Sequence, residues 1–67
     1  MRRTKEDFVN HYLDEIKDKD IYTAHDYIET CMFLIQMSDK LDEEDWKALD
    51  ALEEIKKDLE SRFGKNE

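Results

Sequence analysis

The sequence predicts an all-α protein, a small antiparallel three-helix bundle, and three features of its 67 residues carry that expectation. Proline is absent and the single glycine, Gly64, stands three residues from the last one, so the body of the chain has nothing suited to tight hairpins or a phosphate-cradling loop. Apolar residues recur at spacings of three and four in three separate stretches. Short, highly charged junctions separate those stretches, and short connections make sequential helices neighbours.

The first helix is expected over about residues 5–18. Thr4 supplies a capping hydroxyl and Asp7 a carboxylate three residues later, a variant of the capping box, ahead of the apolar series Phe8, Val9, Tyr12, Leu13 and Ile16. The run Lys17-Asp18-Lys19-Asp20 then breaks the pattern. A second helix is expected from 21 or 24 to about 40. Thr23 and Asp26 repeat the capping spacing, with Tyr22 and Tyr27 at the positions of a hydrophobic staple. At 100° per residue its main stripe is Ala24, Tyr27, Ile28, Cys31, Leu34, Ile35 and Ser38, which suits a core. The third helix is expected over about 43–63, capped by Asp42, with Leu41 and Trp46 at staple positions and acids filling its first turn. Its stripe is Leu49, Leu52, Ile55, Leu59 and Phe63, and Gly64 is the expected stop. The pairs Glu43/Lys47, Glu53/Lys57 and Lys56/Glu60 lie four apart on its wet faces. No internal repeat or linker divides the chain, so residues 1–67 read as one domain.

Nineteen acids against eleven bases give a formal charge of −8, which repels nucleic acid and anionic membrane and favours basic partners. Direct nucleic-acid binding and membrane association are therefore not expected. Arg2 and Arg3 precede the acids Glu6 and Asp7, without the apolar run of a signal peptide, and no stretch approaches the ~20 apolar residues of a membrane span. Cys31 is the only cysteine, and an unpaired thiol fits a reducing compartment, so the expected location is the cytoplasm. A chain this short has a narrowly sufficient core, which makes a homodimer an open possibility.

Residues 18–29 place acids at the first, third, ninth and twelfth positions of a calcium loop. The match fails where that loop is strictest, since Tyr22 replaces the fifth ligand and Thr23 the glycine of the sharp turn. His11, His25 and Cys31 are the only soft metal ligands, and His11/Glu15 and His25/Glu29 share helical faces without the four ligands of a closed zinc site. Acid–base catalysis needs carboxylates in a concave, partly dry site, for which so small a bundle has little room. Neither an enzyme, a metal nor a cofactor is expected.

Two surfaces remain as candidates for binding. Asp7, His11, Asp14 and Asp18, spaced by four, three and four, form a row opposite the apolar series of the first helix, about 16 Å long at 1.5 Å per residue. Extended by Asp20, Asp26 and the run Asp42, Glu43, Glu44 and Asp45, it can imitate a phosphate backbone, although a charged outer face is also the ordinary means of keeping a helical protein in solution. The second candidate is apolar. Phe33 and Met37 fall off the core stripe of the second helix, near Thr30 and Lys40. A third helix laid on that side covers them, whereas left bare they form, with Met32, a patch for dimerisation or for a partner's groove.

The expected function is that of an acidic, non-enzymatic interaction protein that inhibits or regulates a basic, nucleic-acid-binding protein by presenting carboxylate stripes, in the style of DNA mimics, anti-defence proteins or antitoxins. The alternative is an adaptor or homodimer acting through the apolar patch. Because the loop at 18–29 lacks its fifth ligand and its glycine, micromolar calcium is expected to leave the thermal midpoint unchanged, as read by circular dichroism. A rise in the midpoint overturns that expectation, since a ligand held only by the native state stabilises it.

Overall fold

The computed structural model describes the backbone of residues 3–65 and the side chains of residues 3–63. Three helices account for it: α1, Lys5–Ile16; α2, Ile21–Gln36; and α3, Glu43–Lys65. No described helix is long and apolar enough to cross a membrane.

Each helix starts where local chemistry allows. Thr4 caps α1 through a reciprocal box, its hydroxyl accepting from the Asp7 amide at 3.2 Å while the Asp7 carboxylate accepts from the Thr4 amide at 2.9 Å. Asp42 and Asp45 build the same device ahead of α3, at 2.8 and 3.2 Å. Helix α2 starts at Ile21, the earlier of the two expected starts, but not with the expected cap. Asp20, not Thr23, is the N-cap residue, and Thr23 lies inside the helix. Asp20 makes no capping bond of full geometry, yet the Thr23 hydroxyl first, and then the Thr23 and Tyr22 amides, hold its carboxyl below the usual carboxylate range.

Helices α1 and α2 are shorter than the residue spacing predicts, stopping at Ile16 and Gln36 and not near 18 and 40. Lys17 and Met37 close the two helices in right-handed backbone conformations, so the charged residues beyond them belong to turns. Gly64 is not a stop, since α3 continues through it to Lys65. Glycine permits a left-handed cap but does not impose one.

The bundle is organised around α3, not around the helix that is middle in sequence. Both shorter helices lie along α3 and touch each other only slightly. The ion pair Lys5–Glu54 ties the start of α1 to the middle of α3, and Lys47 Nζ donates to the Arg3 carbonyl at 3.2 Å, so α1 runs parallel to α3. His25–Glu60 and Lys56–Glu29 pair the start of α2 with the end of α3, so α2 runs antiparallel to it. One end of the molecule therefore gathers the start of α1, the end of α2 and the start of α3. The other end gathers the α1–α2 turn and the end of α3.

The core forms two joined clusters. Ile16, Ala24, Ile28, Leu52, Ile55 and Leu59 make the larger one, with Ile28 and Leu52 fully buried. Phe8 packs with Ala48 and Ala51 in the smaller one, where two small side chains one turn apart on α3 make room for the ring. Val9, Tyr12 and Ile35 pack against both clusters. The expected stripe of α3 is buried from Leu49 to Leu59, and Phe63 is half-buried. The expected stripe of α2 is not, because Leu34 is 62% exposed and Ser38 lies outside the helix.

Removing the Leu52 side chain beyond its β-carbon is expected to remove about 2–5 kcal/mol, which rivals the whole stability of a domain of this size. Leu52→Ala should therefore melt near or below room temperature. Phe33→Ala, at an exposed site, should move the midpoint by less than ~4 °C. Similar melting of the two variants, followed by circular dichroism, rejects the placement of α3 at the centre.

Candidate functional site

The expected acidic row is not one continuous band. Asp7, Asp14 and Asp18 are all exposed, but α1 ends before Asp18, which sits in the turn and not in helical register. Several of these acids also have structural work. Asp7, Asp42 and Asp45 close capping boxes, Asp20 begins α2, Asp14 pairs with Lys17 at 3.0 Å, and Glu43 pairs with Lys47 at 3.9 Å. The bundle also splits the group. Asp7 and residues 42–45 lie at one end, while Asp14, Asp18, Asp20 and Asp26 lie toward the other. A sequence reading sees the carboxylates but not which of them a cap or an ion pair engages.

The apolar candidate stands uncovered. Phe33 is 61% exposed and Met37 63%, so α3 does not cover them, and Leu34 at 62% joins them. Met32 is half-buried against the larger cluster and belongs to the core edge more than to the patch. Spacings of three and four place Phe33 and Leu34 next to Met37 over the last turn of α2. Trp46, 57% exposed in the first turn of α3, lies at the same end of the bundle. Helical spacing alone places Leu34 on the core side of α2, where the structure leaves it exposed. The weak packing of α1 against α2 leaves that flank open.

A second concentration of functional groups lies along the α2–α3 seam. His25, 17% exposed, directs Nε2 to Glu60 at 3.0 Å and Nδ1 to Glu29 at 3.3 Å, with Lys56 Nζ 3.7 Å from Glu29. Phe63 stacks on Tyr22 with ring centres 5.1 Å apart and meets the His25 ring edge-on at the same separation. The groups satisfy one another, and this arrangement joins two helices. The neighbouring hollow, about 290 Å³ and lined by Glu29, Met32, Phe33, Gln36 and Lys56, opens to solvent and does not enclose a substrate. Among the described residues, no three His, Cys, Asp or Glu side chains are grouped to hold a metal ion, and residues 21–29 of the calcium-loop pattern are helical.

Cys31 is half-buried beside Tyr27 and Tyr12. Burial first, and the neighbouring Cys31 second, push the Tyr12 hydroxyl above its ordinary value of 10.0. A raised folded-state value means that the unfolded chain ionises first. The contribution of Tyr12 is therefore complete below pH 10 and lost as pH rises through the folded-state value. Urea unfolding measured from pH 8 to 11 should show stability falling on the alkaline side, with a shallower fall in Tyr12→Phe. Parallel curves for the two proteins remove Tyr12 from that effect.

No protein-family model, curated protein or solved structure matches the chain. The surface itself is then the basis for a functional reading.

Proposed function

We propose that the protein is a cytoplasmic, non-enzymatic interaction protein that regulates or inhibits a basic partner by occupying the surface with which that partner holds nucleic acid. The observation that carries this reading is the combination of a charge of −8 with carboxylates that stay at the surface. Every described Asp and Glu side chain is exposed except Asp45, which is partly so. Phosphate-binding proteins draw much of their affinity from lysine and arginine, and a dense carboxylate surface competes for the same groups. Catalysis is not part of the proposal. His25, flanked by Glu29 and Glu60, is held at a helix seam, and the hollow lined by Glu29 and Lys56 is open to solvent.

The apolar end supports a second reading, that of an adaptor or homodimer, and the observation favouring it is the bare row Phe33, Leu34 and Met37. The two readings differ in their response to salt. An electrostatic complex weakens steeply as ionic strength rises, and an apolar one does not.

Asp18 and Asp26 are exposed and have no ion pair among the described residues, so neutralising them leaves the caps intact. Asp18→Asn with Asp26→Asn should keep native helicity and lower affinity for the partner a few-fold at low salt, less at high salt. The measurement is a titration against a partner captured from native lysate, with DNA or RNA as competitor. Unchanged affinity together with no competition by nucleic acid rejects phosphate mimicry.

A further inference from the structure

We infer that the end of the bundle formed by the last turn of α2, the α2–α3 loop and the first turn of α3 is a docking face for a basic, amphipathic helix of the partner protein. The inference rests on the reading that the partner is basic, and it specifies where and how that partner is held. Phe33, Leu34 and Met37 are each more than 60% exposed and adjacent over one helical turn. Trp46 is exposed in the neighbouring first turn of α3. The same end carries Asp39, Asp42, Glu43, Glu44 and Asp45, five acids within seven residues. Asp42 and Asp45 are committed to the capping box, but Asp39 and Glu44 are exposed and have no ion pair among the described residues.

Charge and size together choose the occupant. A second copy of this chain would bring another −8 and the same acid rim onto the patch, and like charges facing one another oppose association. Three side chains also fall short of the ~800 Å² that each partner contributes to a stable interface. A transient contact with one amphipathic helix lies within the smaller class of interface. Its apolar stripe covers Phe33, Leu34 and Met37 while lysine or arginine on its flanks meets Asp39 and Glu44, so desolvation and charge act on adjacent parts of one contact. The apolar component fixes the helix in one orientation. The acid rim raises the rate of encounter and excludes acidic helices.

The test uses the full chain and two synthetic peptides of about 15 residues with the same lysine and leucine content. One has leucine at helical spacing and the other is scrambled so that no apolar stripe forms. The amphipathic peptide should bind at least tenfold more tightly, with amide shifts centred on residues 33–46 in heteronuclear spectra. Phe33→Ser with Met37→Ser should erase the difference between the peptides while leaving helicity intact. Asp39→Asn with Glu44→Gln should weaken binding a few-fold at low salt only. If both peptides bind equally and lose affinity together as salt rises, or if the shifts fall on Asp7, Asp14 and Asp18, the docking face is wrong while the basic-partner reading survives. If neither peptide binds even at low salt, both fall. Sedimentation showing a dimer that Phe33→Ser with Met37→Ser dissociates overturns the inference in favour of a second copy.

Discussion

Burial of one strip on α3 is the constraint on which the rest of the molecule depends. Leu52, Ile55 and Leu59 meet α2 and α1 in one cluster, and Ala48 and Ala51 receive Phe8 in another, so the two shorter helices are held mainly through a third. Helices of twelve and sixteen residues are marginal alone in water. Laid on a common partner, each gains a buried face. The connections then need only be short and polar, and the residues that fill them are free to be charged.

That architecture also explains where the exposed apolar surface lies. A compact bundle with all three helix pairs tightly packed covers two flanks of each helix. Here the α1–α2 contact is slight, so the flank of α2 bearing Leu34 remains in water, while the outer face bearing Phe33 and Met37 points away from both neighbours. The cost of leaving three large side chains wet is tolerated in many soluble proteins, and a contiguous group of them at one end is the pattern expected of a contact surface.

The fold divides the acids into two groups. Asp7, Asp42 and Asp45 satisfy amides at helix starts and interact favourably with the helix dipole, and Asp14, Glu29, Glu43, Glu54 and Glu60 lie close to lysine ammonium groups. Asp18, Asp26, Asp39 and Glu44 have no such ion-pair engagement among the described residues. A charge available to a partner without first breaking an internal contact is a better candidate for recognition. By that criterion the helical spacing of Asp7, Asp14 and Asp18 is less informative than the environment of each carboxylate.

The chain alone determined the all-α class, the three helices, the caps at Thr4 and Asp42, and the buried leucine and isoleucine stripe Leu49, Leu52, Ile55 and Leu59 of α3, because each follows from spacing or from a hydrogen bond within four residues. Capping chemistry is local, and a strip that recurs every three or four residues on a long helix is buried wherever the partners lie. Tertiary structure decided which helix is central, that Leu34 is wet, that Ala48 and Ala51 are core, and that Phe33 and Met37 stay bare. A helical wheel gives the direction of each side chain from its own axis but not the azimuth at which a neighbour sits. Two flanking helices placed on α3 leave the outer face of α2 to water, and no pattern within α2 contains that information.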